Sequence, residues 1–378
     1  MIDPSIFYNY LTKKGIDFFT GVPDSLLKNI CGYIQDNTPK ERNIIAANEG
    51  NAIALATGYH LATGLLPLVY MQNSGIGNTI NPLISLADKE VYSIPMILLI
   101  GWRGEPNLKD EPQHVKQGKT TLELLNTLEI PYVILDKGFS KAKEQLSHAI
   151  KKAEINKQAF AIVVRKDTFD SYSIPFESNT DNNWSILQRE ESIKIIIDKL
   201  NLDDIIVSTT GKTSRELFEY REYLNHGHQR DFLTVGSMGH ANQIALGIAL
   251  QKPKKQVICF DGDGAMIMHT GGIGIIGNLS PKNFKHILFN NASHESVGGQ
   301  PTIGDSISFC NIAKGFGYKE CISVNNALEL KKGIKQLTES DGPFLLEVRI
   351  NNGSRNNLGR PSIPPVENKN NFMKFIQK

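Results

Sequence analysis

The chain has 378 residues, 40% of them hydrophobic, which is enough for two packed cores. Its 41 basic and 39 acidic residues leave a net charge of +2, so no broad field for nucleic acid or a membrane surface is implied. Four cysteines (Cys31, Cys259, Cys310, Cys321) show no CxxC spacing, no N-terminal signal pattern is visible, and no apolar run is long enough to span a bilayer. A cytoplasmic protein without nucleic-acid or membrane partners is expected.

In chain order, a polar helix over 4–14 leads into IDFFTGVPD, read as a short strand and a turn that carries Asp24 and Ser25. IIAA (44–47) is a strand, and NEGNAIALATGYHLATG (48–64) is a helix so rich in Ala and Gly that it can pack closely. Glu49 stands at its start, where a carboxylate favours the positive end of a helix. On this stretch alone it reads equally as a capping residue. Buried strands follow at 66–72, 94–102, 130–136 and 159–166. Between the second and third of these, residues 103–119 read as a polar loop able to close as a lid. Gly104 and Gly118 bracket it, and it supplies Arg103, Lys109, His114, Lys116 and Lys119. These cations suit a substrate with two anionic groups, and His114 has the ordinary pKa of a proton donor. Residues 171–184 read as a linker.

The second half opens with the amphipathic helix ILQREESIKIIIDKL. Strand DIIVSTT (204–210) is followed by Gly211, Lys212 and Thr213, a turn suited to bonding a diphosphate, with Lys212 facing its charge. TVGSMGHANQIALGIAL (234–250) places Met238 among small residues before an Ala-rich helix, where it also reads as an ordinary core methionine. The most informative segment is 257–291, a buried strand, a GDG turn, one crossover helix from about Met266, a second buried strand and an Asn pair. Asp263 therefore lies at the carboxyl end of one strand, and Asn290 and Asn291 at that of its neighbour, where open α/β sheets bind ligands. One carboxylate with carbonyl oxygens suits Mg²⁺. Gly262 and Gly264 let the backbone approach a diphosphate, and the following helix turns its N-terminus, with Ala265, to the same anion. Strand PFLLEVRI closes the half, and 351–378 read as a tail.

GDG followed at this interval by NN resembles the signature of thiamin-diphosphate enzymes. The NE-x-NA and G-S-x-G segments occur in the same order as in that family. The resemblance covers nearly the whole chain and implies an α/β fold of two open parallel-sheet domains. These are a pyrimidine-binding domain at 1–170 and a diphosphate-binding domain at 185–350, with no middle domain between them. It implies thiamin diphosphate and Mg²⁺ as cofactors. Asp263, the second Asn (Asn291, preferred to Asn290) and the carbonyl of Ser293 are the implied metal ligands. Glu49 is implied to exchange a proton with the aminopyrimidine ring. Met238 would wedge between the two cofactor rings, with Gly236 and Met238 bonding the pyrimidine through their backbones. Because Glu49 and the metal residues lie in different halves, the family pattern implies at least a homodimer with shared sites.

MQNSGIGNTINPLISLADKEVYSIPMILLIGWRGEP, then KDEPQHVKQGKTT, with FTGVPDSLLK, TTGKTSRELFE and NNASHESVGGQPT, closely resemble the family members that decarboxylate 3-phosphonopyruvate, with phosphonate biosynthesis as the implied context. Members acting on sulfopyruvate are the alternative. They are often split into two chains near the linker, so one fused chain favours the phosphonate. By charge and position, Asp24 and Ser25 in the turn after a strand, Arg103 and Lys116 in the polar loop, and His294 and Glu295 directly after the Asn pair are the expected substrate-lining residues, and Arg355 and Arg360 in the tail are remoter candidates. A nucleotide-binding oxidoreductase is a more distant reading, opposed by the absence of G-x-G-x-x-G after the first strand of either half.

Overall fold

The computed structural model describes residues 1–172 and 185–377; most of the segment read as a linker, 173–184, lies outside the described residues. The chain forms two units, Met1–Glu177 with Val297–Gln300, and Ser178–Ser296 with Pro301–Lys378. Among the described residues no helix is long and apolar enough to cross a membrane.

In the first unit the apolar runs pair as strands β1 (Phe19–Gly21), β2 (Asn43–Ile45), β3 (Leu68–Gln72), β4 (Met96–Gly101), β5 (Tyr132–Ile134) and β6 (Ala159–Val164). All pairings are parallel, in the order β2-β1-β3-β4-β6-β5. A parallel sheet needs helices on both faces, so its central strands are apolar throughout rather than alternating. Ile97 and Leu99 of β4 pack toward Phe7 and Leu11 of the helix Pro4–Lys13. Leu98 and Ile100 pack toward Ala52, Ile53 and Ala56 of the helix Glu49–Thr63. That helix starts where Asn48 accepts the N–H of Asn51 through its side chain (3.0 Å), and it stops at Gly64, whose φ of 71° is the left-handed conformation glycine favours.

In the second unit β7 (Ile205–Ser208), β8 (Asp231–Leu233), β9 (Val257–Gly262), β10 (Phe284–Asn290), β11 (Glu320–Val324) and β12 (Phe344–Arg349) pair in the order β11-β12-β10-β9-β7-β8, again all parallel. One face packs Ile206, Phe260 and Ile287 with Ile193, Leu330 and Ile334. The other packs Val207, Val257, Cys259 and Leu288 with Ala245 and Ile273. The stretch 351–378 carries a helix, Pro365–Ile376, which covers β8: Phe372 is buried beside Phe232, and Asn368 donates to the carbonyl of Asp231 (3.0 Å).

Four expectations fail. The crossover between β9 and β10 is two helices, Asp263–Met268 and Gly271–Leu279, and the first begins at Asp263, ahead of Met266. β11 escaped the reading because an edge strand with a half-exposed face (ECISV) lacks the continuous apolar run of its neighbours. Residues 103–119 do not form a lid loop. Pro112 opens a helix to Thr127, and Gly104 and Gly118 lie so close that a Cβ on Gly118 would sit 1.6 Å from the Gly104 carbonyl oxygen. The Trp102 indole donates to the Gly118 carbonyl (2.8 Å) and pins the turn further. Finally, Cys310 and Cys321 form a disulfide, with Cα atoms 5.2 Å apart, a pairing that the spacing does not reveal and that departs from the reducing compartment expected from the cysteine usage. Cys31 and Cys259 are free and buried.

Candidate active site

In the second unit the neighbouring ends of β9 and β10 bring the GDG turn against the Asn pair, because Gly262 lies opposite Phe289 in the sheet register. Asp263 is only 3% exposed. Burial raises its carboxyl to about 6, against the opposing pull of the Thr302 hydroxyl and of the backbone N–H groups of Gly264 and Asn291. Thr302 donates a short hydrogen bond to Oδ2. Gly304 closes the same corner: a Cβ there would lie 2.6 Å from Asn290 Oδ1 and 2.8 Å from Asp263 Oδ2.

The two asparagines differ in how they are occupied. Asn290 is fully buried, donates to the Gly304 carbonyl (2.8 Å) and to Glu347 Oε1 (2.7 Å), and accepts the Ala292 N–H (3.1 Å). Those contacts use both ends of its amide. Asn291, one residue past the strand, accepts the Ser293 N–H through Oδ1 (3.1 Å) and donates to Glu295 Oε2 (3.3 Å). Ser293 pairs with Pro301 in an isolated antiparallel bridge, which holds its backbone beside this turn.

Gly264 is the point where distant parts of the chain meet. A Cβ on it would lie 3.0 Å from His294 Cε1 and 3.4 Å from Met238 Cε, so the missing side chain makes room for both. Met238 occupies a turn that also contains Gly236, with Ser237 at φ 56° and Gly239 at φ 85°. Burial pushes the His294 imidazole down to about 4, so it is neutral at neutral pH. A Cβ on Gly262 would meet nothing within 4 Å, whereas Ala265 is buried. After β7, Gly211 (φ 97°) opens the helix Lys212–Tyr223, in whose first turn Thr213 is buried. Lys212, expected to face a diphosphate, has its Nζ on Glu295 Oε1 at 2.8 Å. Glu295, expected to line the substrate, also accepts from Arg189 Nη1 (2.7 Å) and the Gly353 N–H (3.1 Å).

In the first unit the ends of β1, β3 and β4 converge. Glu49 is buried, and its Oε2 accepts from Asn78 Nδ2 (2.7 Å). Gly75 lies against it, where a Cβ would come within 2.3 Å of Glu49 Oε1. Two residues before Gly75, Asn73 bonds both backbone groups of Arg103: Nδ2 donates to the carbonyl (2.8 Å) and Oδ1 accepts the N–H (3.1 Å). Asp24 is fully buried. Its Oδ2 accepts the N–H groups of Leu26 (2.9 Å) and Leu27 (3.2 Å), while Oδ1 is buried without a hydrogen-bond partner among the described residues. Burial raises the Asp24 carboxyl to about 6, and the Leu26 N–H and the Arg103 charge only partly offset it.

Arg103 does not stand ready as an unpaired cation. Asp110 takes its guanidinium from two sides (Nε to Oδ2 2.8 Å), and Nη1 donates to the Ser25 hydroxyl (2.8 Å). Burial opposes ionisation of Asp110, but Arg103 and the N–H groups of Glu111 and Gly104 hold it well below the usual carboxylate range. His114 lies half-buried in the first turn of the helix Pro112–Thr127, and Lys116 is exposed on the same helix. Arg355 is likewise engaged, by Glu190 and Glu219.

Asn78, Gly75, Thr302, Gly304, Asp110 and Arg189 were not assigned roles from the sequence. The first three lie inside segments that already stood out as motifs, so a signal was present. Asp110 and Arg189 also lie in stretches that stand out, KDEPQHVKQGKTT and ILQREESIKIIIDKL, but a charge in a polar stretch does not announce its partner.

Residues 5–124 match the family model described as thiamine pyrophosphate enzyme, N-terminal TPP binding domain, and residues 209–348 match thiamine pyrophosphate enzyme, C-terminal TPP binding domain. The chain is 31% identical to a phosphonopyruvate decarboxylase of Streptomyces viridochromogenes, over 97% of this chain and 93% of that one. It is 30% identical to a phosphonopyruvate decarboxylase of Streptomyces hygroscopicus, over 99% and 94%. It is 27% identical to a sulfopyruvate decarboxylase of Methanosarcina acetivorans, over 77% and 76%.

Proposed function

The chain belongs to the thiamine pyrophosphate enzyme family, and from that premise we propose that it decarboxylates 3-phosphonopyruvate to phosphonoacetaldehyde and CO₂, with thiamin diphosphate and Mg²⁺. The observation that carries the substrate is the end-to-end match to two phosphonopyruvate decarboxylases, against a shorter and weaker match to the sulfopyruvate enzyme. That last match runs over 77% of this chain, so fusion of the two halves does not itself separate the substrates.

The residues present fit the cofactor. Asp263, the Asn291 amide and the Ser293 carbonyl form a set of hard oxygens of the kind Mg²⁺ prefers. A carboxyl buried enough to be raised to about 6 is one that a cation would relieve. Each asparagine oxygen accepts one backbone N–H at 3.1 Å, so the choice of Asn291 over Asn290 as the ligand rests on the resemblance of the Asn pair to the family signature. Gly211, Lys212, Thr213, Gly262, Gly264 and Ala265 would hold the diphosphate at the helix N-termini. Gly236 and Met238 would hold the pyrimidine, with Met238 and His294 meeting over Gly264.

When bound, thiamin diphosphate supplies the electron sink that a 2-oxo acid needs to lose CO₂. The chain's own part is positioning and proton traffic. Glu49, buried and held by Asn78, would exchange a proton with the aminopyrimidine. Asp24 has a raised pKa and an uncommitted oxygen, as suits a group that holds a proton near neutral pH. Ser25 and Arg103 would orient the anionic end of the substrate, Arg103 through whatever donor capacity Asp110 leaves it. His114 and Lys116 are weaker candidates on the adjoining helix. We further propose a homo-oligomer working in phosphonate biosynthesis in the cytoplasm.

The deciding experiment offers phosphonopyruvate, sulfopyruvate and pyruvate in parallel to the purified chain, with and without Mg²⁺ and thiamin diphosphate, and follows aldehyde and CO₂. Preference for phosphonopyruvate that disappears without the cofactor is expected. Preference for sulfopyruvate overturns the substrate, and no cofactor-dependent release from any of the three overturns the activity.

A further inference from the structure

We propose that Glu295 is a positioning residue that fixes which end of the Asn291 amide faces the cation. The inference rests on the reading of Asp263 and Asn291 as the Mg²⁺-binding pair. An asparagine amide has two ends of nearly equal size, one an acceptor and one a double donor. Turned the wrong way, it offers N–H groups to a cation and ligation fails. An ionised carboxylate only accepts, so with Glu295 Oε2 at 3.3 Å from the amide, the end facing Glu295 is the nitrogen. Oδ1 is thereby turned away from Glu295, to the side where it accepts the Ser293 N–H and is available to the ion.

The surroundings explain why Glu295 can do this without becoming a ligand itself. Four donors converge on its two oxygens: Arg189 Nη1 and Asn291 Nδ2 on Oε2, and Lys212 Nζ and the Gly353 N–H on Oε1. A carboxylate has about four acceptor positions, so its capacity is filled. Arg189 is held in turn by both oxygens of Glu216, at 2.8 and 3.0 Å. The row Glu216–Arg189–Glu295–Lys212 alternates in sign and sums to zero, with side-chain exposure rising from 1% through 7% and 13% to 24% toward the surface. Arg189 Nη1 at 2.7 Å and Lys212 Nζ at 2.8 Å give Glu295 two cationic partners.

The test is a double-mutant cycle read by calorimetry of thiamin diphosphate binding to the full chain at a series of Mg²⁺ concentrations. Glu295→Gln removes the discrimination, since a glutamine amide pairs with either end of Asn291. It is expected to weaken the apparent Mg²⁺ affinity by about tenfold, the lower end of the outer-shell range. Asn291→Asp places a symmetric carboxylate at the ligand position, with no amide left to orient. In that background Glu295→Gln is expected to cost less than about twofold, or to improve affinity by removing a like charge. Equal losses in both backgrounds would show that Glu295 only supports the fold and would overturn the inference. Where Glu295→Gln does not fold, Glu295→Asp keeps a charge for Arg189 and Lys212 but withdraws it from Asn291, and the same tenfold loss is expected. If the unaltered chain binds no thiamin diphosphate with Mg²⁺, the reading of the site fails rather than the role of Glu295.

Discussion

The two units share one strand order and differ in what they place at its end. Read from the opposite edge, the first sheet runs β5-β6-β4-β3-β1-β2, and the second runs β11-β12-β10-β9-β7-β8, the same path six strands later. The equivalence extends to the site. At the β3 and β4 ends Asn73 bonds the backbone of Arg103, and at the corresponding β9 and β10 ends Asp263 accepts the backbone N–H of Asn291. The chemistry then separates. The first unit leaves carboxylates poorly compensated: Glu49 has an amide partner and Asp24 keeps a bare oxygen. The second unit surrounds its site with a neutralised row of charges and a fixed asparagine pair. On the proposed reading one scaffold would offer a place to hold a proton and, in the other copy, a place to hold a cation and a diphosphate, because strand ends carry side chains that the core does not constrain.

That contrast is open to direct tests. The largest expected effect is in the proton-handling unit: Glu49→Gln should lower kcat by about 10²–10⁴-fold while calorimetric binding of thiamin diphosphate stays within about twofold of the original. Loss of binding instead would place Glu49 among the anchoring groups. In the second unit Asp263→Ala should weaken Mg²⁺-dependent thiamin diphosphate binding by at least about 100-fold, the upper limit for outer-shell losses. Unchanged affinity would remove the contrast altogether.

Next in size is a pH effect that burial produces in both units, on Asp24 in the first and on Asp263 in the second, and Asp24 gives the test. Asp24 has its folded pKa raised to about 6 from 3.8. Its contribution to stability is therefore fully present below pH 3.8 and is lost as pH rises through 6. The loss is about 3 kcal/mol. Asp24→Asn should recover most of it at pH 7 and change little at pH 3.5, as measured by denaturant unfolding at the two pH values. A variant equally affected at both would show that the carboxyl is not penalised by burial.

The smallest effect compares two glycines. Gly101→Ala puts a Cβ 2.1 Å from Asp24 Oδ2 and should cost about 1–3 kcal/mol in thermal unfolding. Gly262→Ala meets nothing within 4 Å and should change stability by less than about 0.5 kcal/mol, while reducing affinity for thiamin diphosphate if the diphosphate approaches there.

The layout of the two sheets follows from local pattern alone. Continuous apolar runs separated by helical stretches dictate buried parallel strands, since only helices on both faces make such runs stable. The GDG turn, the Asn pair and Glu49 at a helix start were legible because each sits at a junction between strand or helix and turn, where local pattern changes. The equal strand order of the two halves was not legible, because pairing is a relation between residues far apart in the chain. Nor were the partners of the charges. Arg103, Lys212, Glu295 and Arg355 each read as a free cation or anion near a ligand, and each is met by an opposite charge, in three of the four from a different element of the fold. Only the tertiary structure decides that. The energy of a buried charge depends on what lies within a few ångströms of it, and chain-order periodicity carries no record of that distance.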